Sequence, residues 1–415
     1  MDEKAVEGEV ANGTHNRSGK RELSITPPTQ DSLKVARKEG LTLPIKAASQ
    51  YTTNRQPTLF QQPVQITSFS YDEARRLHHD DRSRSYYHPP PPRADLNRGF
   101  EELIERDETV NEHLDSLLIS LMKLSEKGNA DQLQKANLVT WRGMMTKLCT
   151  LLYEDRQGFE MNAMMVGDTL YLEEHKDSSH RLKKAEEDPK LKLFGYYGYS
   201  FESWTCHKAQ HPVDPWDGNV NTNIQWCSIV KTKLGDTRCI LAGEVDAVDV
   251  KTHSPIEVKT SMQIRNQRDE ERFESKMLRF YMQSFLLGIA MVVVGFRDFK
   301  GYIVTHQEFP TLTMPRLVRG KAHAWDPVAC LNLADELITS IQAHIAASLP
   351  SSPPALSEAI ETYPVHRLIF DIAAKTVSVQ PLEEETILEQ IKEGQKEKRV
   401  GFLLSEYYEM AIKGL

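Results

Sequence analysis

Two short runs constrain this chain most: Gly243-Glu-Val-Asp246 and Ile256-Glu-Val-Lys259, joined through the turn-forming Lys251-Thr-His-Ser-Pro255. The first lies inside Ile240-Leu-Ala-Gly-Glu-Val-Asp-Ala-Val-Asp-Val250, where apolar and polar residues alternate from Gly243 onward, as in a strand. Side chains at i and i+2 of a strand share a face. Glu244 and Asp246 therefore point one way, Glu257 and Lys259 share a face of the next strand, and Asp249 has the wrong parity to join them. A hairpin of this kind gathers Glu244, Asp246, Glu257 and Lys259 on one surface. Such a surface is either a set of solvated charges on a sheet face or a cation site. The surrounding Val, Ile, Leu and Ala favour the second, because charges seldom enter buried strands without a partner. Three converging carboxylates do not all stay ionised cheaply without a cation. Hard divalent cations such as Mg²⁺ take such oxygen ligands, and a nearby lysine steadies a nucleophilic water or a phosphate oxygen. This donor set is the one that two-metal phosphoryl chemistry requires, with ions roughly 3.5–4 Å apart.

Two further segments bear on that surface. Phe194-Gly-Tyr-Tyr-Gly-Tyr-Ser-Phe-Glu-Ser-Trp204 places Glu202 in an aromatic, glycine-spaced stretch, as a third-element acid or as an incidental charge on an aromatic core segment. Lys276-Met-Leu-Arg-Phe-Tyr-Met-Gln-Ser-Phe285 reads as a helix with Leu278, Tyr281, Phe285 and Ile289 on one face. Gln283 lies off the centre of that stripe, and by pattern alone is an ordinary polar flank.

The 415 residues and the hydrophobic fraction of 40% suffice for a sizeable core, and a mean hydropathy of −0.49 adds polar tails or long loops. Residues 1–63 are polar and without period, so a disordered extension is expected, followed by a single domain over 64–415. Lys20-Arg21 and Lys34 to Lys38 read as solvated tail charges before nuclear-import signals. Pro89 to Pro92 suggest a stiff connector. Leu114, Leu117, Leu118 and Leu121 predict a helix from Val110. Residues 138–174 read as mostly extended after a short helix, 173–190 as an exposed loop and 328–347 as an amphipathic helix. Val365–Phe370 and Thr376–Val379 read as closing strands, and Glu383–Leu415 as helical. No repeat is evident. The apolar run Phe285–Phe296 is too short to span a bilayer, so no membrane association is expected. The N-terminus reads as lacking a secretory signal. The five cysteines form no CxxC pair, which suggests neither zinc nor a disulfide framework but a reducing compartment. The sequons at Asn12 and Asn16 are then expected to be irrelevant. A net charge of −8 argues against a sequence-independent DNA coater, but not against an enzyme that grips a few phosphates.

Taken in order, these blocks resemble one family, the decapping and exoribonuclease (DXO) family with its fungal Rai-type members, over about residues 66–380. The carriers are Ser68-Phe-Ser-Tyr71, Trp141-Arg-Gly143, Gly198-Tyr-Ser-Phe-Glu202, Val220-Asn-Thr-Asn223, Gly243-Glu-Val-Asp246, Glu257-Val-Lys-Thr-Ser261, Gln283-Ser-Phe-Leu286 and Val294-Gly-Phe-Arg297. Ser-Phe-Ser-Tyr-Asp and Tyr86-Tyr87-His-Pro-Pro look Rai-like, whereas the long N-terminal extension and the short 251–255 connection depart from the pattern.

The resemblance implies an α+β fold of two packed mixed β-sheets flanked by helices, related to D/E-x-K nuclease cores. It implies that Glu202, Asp246, Glu257 and the carbonyl of Val258 ligate Mg²⁺ or Mn²⁺, two ions, with Glu244 at the metal–substrate interface. It gives Lys259 and Gln283 the attacking water and scissile phosphate, and Arg142, between Trp141 and Gly143, a bidentate phosphate contact. By the same matching Arg75, Glu112 and Cys227 line the substrate path. Their bland alternatives are a surface charge, a helix N-terminal acid and a core thiol. No catalytic histidine is implied, and His78-His79 read as structural or surface residues. The implied activity is hydrolysis of aberrant RNA 5′ ends: unmethylated or incomplete guanosine caps, NAD caps and triphosphates. The implied partner is a nuclear Rat-type 5′–3′ exoribonuclease, with residence in the nucleus. The alternative is a non-catalytic stabilising subunit of that exoribonuclease.

Overall fold

A computed structural model of the chain describes residues 40–129, 136–175, 188–350, 352–395 and 398–413. The strands of the first half are β1 (Leu41–Pro44), β2 (Val64–Tyr71), β3 (Leu77–His78), β4 (Tyr86–Tyr87), β5 (Leu138–Trp141), β6 (Phe159–Val166), β7 (Thr169–His175) and β8 (Cys206–His207). The second half adds β9 (Gln225–Leu234), β10 (Thr237–Glu244), β11 (Ala247–Val248), β12 (Pro255–Met262), β13 (Met291–Arg297), β14 (Ile303–Pro310), β15 (His366–Asp371) and β16 (Thr376–Pro381). They divide into two sheets, ten strands in the order β1-β16-β15-β6-β7-β5-β10-β9-β2-β3 and six in the order β14-β13-β12-β11-β4-β8. Both are mixed: β5 runs parallel to β7 and β10, β12 parallel to β13, and their other neighbours are largely antiparallel. The α+β expectation of two packed mixed sheets holds.

Six helices support these sheets or carry residues of the site: α1 (Asp115–Leu124), α2 (Arg142–Thr150), α3 (Pro189–Thr205), α4 (Gln267–Leu287), α5 (Pro327–Ala346) and α6 (Ser405–Ile412). Their starts are set locally. Asp188 accepts from the Lys190 N–H with Pro189 as the first helical residue of α3, and Asp326 with Pro327 does the same for α5. Asn266 accepts from Asp269 N–H to open α4, and Gly288 at φ +71° closes it.

The largest core lies between the sheets, where Leu241, Val292 and Val294 meet Met145 and Leu148 of α2, Tyr281 and Met282 of α4 and Ile338 of α5. The far face of the ten-stranded sheet packs Val139 and Ile240 on Leu117 and Leu121 of α1 and Tyr407 and Tyr408 of α6. The far face of the six-stranded sheet packs Val258 and Val293 on Phe201 of α3. Alternation along β12 thus sends Ile256 and Val258 to the α3 side and Glu257 and Lys259 into the space between the sheets.

Several expectations change. Disorder through residue 63 does not hold for 40–63: β1 pairs with β16, and Tyr51 is 1% exposed. Residues 1–39, with both basic clusters and both sequons, lie outside the described residues. Gly243–Asp246 is not one strand; β10 ends at Glu244 and β11 starts at Ala247 in the other sheet. The hairpin exists, but only as β11 with β12. Residues 173–190 are not simply a loop, since β7 runs to His175 and α3 begins at Pro189. The described residues of 383–415 hold short helical turns, the paired strands Arg399–Val400 and Leu403–Leu404, and α6, because Gly394 and Gly401 at positive φ turn the chain. No helix among the described residues is long and apolar enough to cross a membrane.

Candidate active site

The site forms where the chain crosses between the sheets. Glu244 closes β10 opposite Cys227 of β9, and its Oε2 accepts from Gln225 Nε2 at 2.9 Å. Asp246 occupies the crossing and is tied to β12, whose Val258 N–H donates to Asp246 Oδ2 at 2.6 Å. Glu257, 1% exposed, has Lys259 Nζ at 2.6 Å on one oxygen and Arg142 Nη1 at 3.1 Å on the other. Lys259 Nζ also lies 3.8 Å from Asp246 Oδ2. Arg142 is the first residue of α2, placed there by the end of β5, and the same Nη1 donates to the carbonyl of Gln283 on α4 at 3.4 Å. Glu202 comes from the last turn of α3.

Gly243 lets these elements close. A Cβ there would stand 2.7 Å from Leu287 Cδ1 and 3.1 Å from Arg142 Cβ. Gly295 does the same for α3, since a Cβ on β13 would stand 2.5 Å from the Phe201 ring.

The electrostatics are those of a site short of positive charge. Burial, then the repulsion of Asp246 and Glu244, holds the Glu202 carboxyl well above its usual range. Burial and then Asp246 push Glu244 up to about 7; burial and then Glu257 push Asp246 up to about 6. Glu257 goes the other way: burial opposes its ionisation, but Lys259 and Arg142 outweigh it. Burial also opposes the charge on Lys259, yet Glu257 and Asp246 hold its ammonium above the usual range. Four carboxylates face two cations, which leaves two negative charges over. An all-oxygen donor set with that deficit fits a hard divalent cation. Among the described residues no three His, Cys, Asp or Glu side chains already close around one ion. Both Glu257 oxygens are engaged by cations, and Asp246 Oδ2 takes the Val258 N–H.

A cleft of about 300 Å³ adjoins this centre and shares Gly243, Glu244 and Arg142 with it. Arg75, Glu112, Trp141, Gly143 and Cys227 all line it. Arg75 is no surface charge: Nε and Nη2 hold Glu112 at 2.7 and 2.8 Å, Nη1 donates to Asn223 O and Gln225 Oε1, and the guanidinium lies 3.7 Å from the Tyr71 ring centroid. Glu112 is not a helix N-terminal acid either, because α1 starts at Asp115. Cys227 is 3% exposed, its thiol pushed up by burial and then by Glu244. Trp141 is fixed by its indole N–H, which donates to the His113 carbonyl at 3.2 Å.

Gln225 escaped the sequence reading although it bridges Glu244 to Arg75. Its signal was parity: it shares a strand face with Cys227 two residues on. Also missed was the buried pair of His113 with Glu173, at 2.8 Å, with Glu173 held from behind by Asn162 Nδ2 at 2.7 Å. Nothing local in the sequence joins those residues. His78, as expected, sits in a structural pair with Asp72 at 2.8 Å.

A family model described as RAI1 like PD-(D/E)XK nuclease matches residues 61–408. A Mycosarcoma maydis protein named Decapping nuclease RAI1 is 37% identical over 442 residues, covering 84% of this chain and 87% of its own length. The crystal structure of S. pombe Rai1 in complex with 3′-FADP is similar at 26% identity and TM-score 0.63, over 83% of this chain and 100% of that one. Candida albicans Rai1 in complex with pU5-Mn²⁺ shares the fold at TM-score 0.74 and 21% identity, over 89% of this chain and 98% of that one.

Proposed function

The chain belongs to the RAI1-like PD-(D/E)XK nuclease family, and from that premise we propose that it is a divalent-cation-dependent hydrolase of RNA 5′ ends. The substrates are incomplete or unmethylated guanosine caps, NAD caps and 5′-triphosphates, the last losing pyrophosphate. The observation that carries the reading is the cluster of four acids at the sheet crossing with Lys259 and Arg142 beside them. Asp246 and Glu257-Val-Lys259 supply the acids and lysine of the family's motif. The S. pombe relative's complex with 3′-FADP supports a nucleotide as ligand.

In this reading Glu202, Asp246, Glu257 and the Val258 carbonyl hold Mg²⁺ or Mn²⁺, two ions. When bound, such ions lower the pKa of water and neutralise charge on the leaving oxygen. Glu244 meets the substrate side of that centre. Lys259 and Gln283 orient the attacking water and the scissile phosphate. Arg142, held to Glu257 through Nη1 alone, presents the rest of its guanidinium to a phosphate. The Arg75–Glu112 pair and Trp141 shape the cleft that takes the terminal nucleotide, and burial of the whole set strengthens each contact. No histidine is needed as base. On family membership we also propose a nuclear Rat-type 5′–3′ exoribonuclease as partner and the nucleus as location; a pull-down in which the acid variants keep the partner separates binding from catalysis.

Glu202→Ala and Asp246→Ala should each lower release of cap, NAD or pyrophosphate from RNA by about a thousandfold or more in Mg²⁺, the scale of losing a main electrostatic group. Both should keep a cooperative thermal transition, and chelation should silence the wild type. Undiminished activity in both folded variants overturns the proposal.

A further inference from the structure

One side of α4 is basic and lies outside the cleft. Arg268, Arg272, Lys276 and Arg279 recur at spacings that, on 3.6 residues per turn, fall within a stripe about 80° wide, and Gln283 continues it. The four cations are exposed and Gln283 is half-buried. Of the helix acids, Glu274 is buried against Lys321 and His323, Glu270 also meets Lys321, Glu271 accepts from Gln267, and Asp269, which borders the stripe, accepts from Asn266 Nδ2 and lies 3.8 Å from Arg265. Arg279 is paired with Glu154 at 3.0 Å, but Arg268, Arg272 and Lys276 have no ion pair among the described residues.

Arg297, at the end of β13, adds to this side. Its carbonyl accepts from Gln263 N–H just before α4 begins. Its Nη1 donates to Met262 Sδ and to the Asp298 carbonyl rather than to a carboxylate. The guanidinium stands over the rings of Tyr197 at 4.6 Å and Phe194 at 5.4 Å, and Phe194 is 51% exposed. Lys276 feels the charges of Arg297 and Arg156, so cations face one another there. Such a cluster is a local exception in a chain of net charge −8.

We propose that this stripe, with Arg297 and Phe194, binds the single-stranded body of the RNA on the 3′ side of the scissile phosphate. The stripe runs about 22 Å along α4, at 1.5 Å per residue from Arg268 to Gln283. It ends where the Gln283 carbonyl meets Arg142, which holds Glu257. Unpaired cations along a backbone path, beside an exposed ring on which a base can stack, are the ingredients of sequence-tolerant single-strand binding. They also explain how an acidic protein with an acidic centre holds a polyanion: the grip is local and displaced from the acids. An acidic peptide would use the charges but not the ring.

The inference rests on the 5′-end hydrolase reading. It is tested in the full chain with Arg272→Glu/Lys276→Glu and, separately, Phe194→Ala, on 5′-triphosphate RNA of dinucleotide and octanucleotide length. The double variant should raise KM for the octanucleotide about tenfold with kcat kept, leave the dinucleotide KM unchanged, and flatten the log–log salt slope by roughly 1.4 for two lost contacts. Phe194→Ala should weaken the octanucleotide and keep the slope. An unchanged octanucleotide KM, or an equal rise for both lengths, overturns the proposal, as does a loss matched by acidic-peptide competition that Phe194→Ala leaves unaltered. If the wild type releases nothing from any RNA, the hydrolase reading fails; fluorescence anisotropy with 5′-phosphate octanucleotide RNA then decides the stripe alone, equal affinities in wild type and double variant overturning it.

Discussion

Gly243 shows how little separates a strand from a site. Its missing Cβ admits Arg142 and Leu287 against β10, and through Arg142 the carboxylate of Glu257. Gly243→Ala should cost about 1–3 kcal/mol of stability from overpacking and should lower kcat further by displacing Arg142. Urea unfolding beside turnover checks this; wild-type values in both would show that β10 and α2 part without consequence. The residues themselves were legible to different degrees. Strand parity was enough for Glu257 and Lys259, which share one face of β12. It was right about Asp249, which instead caps the turn by accepting from Thr252 and Lys251. It reached Glu244 and Asp246 for the wrong reason, since they belong to different segments and meet because the chain crosses between sheets. Gln283 looked like a polar flank by pattern, and only the packing of α4 on α2 brings it beside Arg142.

Elements with a strong local signal were found, and elements that depend on distant partners were not. The leucines of α1 and the strands β15 and β16 announce themselves through period and β-branched content. By contrast β1 is four residues, Leu-Thr-Leu-Pro, whose partner β16 lies more than three hundred residues away. Behind it the segment is anchored: Tyr51 is buried, its carbonyl accepts from Asn332 Nδ2 at 2.6 Å, the Thr58 N–H donates back to Asn332 Oδ1, and Arg55 pairs with Glu336 at 2.6 Å. Deleting residues 1–63 should therefore cost on the order of 5 kcal/mol more than deleting 1–39, from one buried tyrosine and several hydrogen bonds. Equal thermal midpoints for the two truncations would refute this. α3 was hidden for a different reason: Gly195 and Gly198 weaken helix propensity, and packing of Phe201 on β13 overrides them.

At the scale of the molecule, the buried polar groups set how stability responds to pH. His366 of β15 is 3% exposed, its Nδ1 lacks a hydrogen-bond partner among the described residues, and burial followed by His344 pushes its pKa down to about 4. A folded value below the unfolded one near 6.5 means stability that is present above 6.5 and lost as pH falls through 4. Acidification from pH 7 to 4 should remove up to about 3 kcal/mol by this route, and His366→Leu should lack that share. Urea unfolding at both pH values checks it, and parallel profiles for the two proteins would overturn it. The sequence alone determined which residue types make up the candidate site, because acids and a lysine set among Val, Ile and Leu are costly unless something binds them. It also determined the family, because ordered blocks of that kind survive without knowledge of their packing. Only the tertiary structure decided that the acids meet at a crossing between two sheets, that Glu257 is held by Arg142 and Lys259 while Glu202, Glu244 and Asp246 repel one another, and that Arg75 clamps Glu112. Those outcomes depend on which strands pair and how deeply each carboxylate is buried, and neither is encoded within the span of residues over which periodicity can be read.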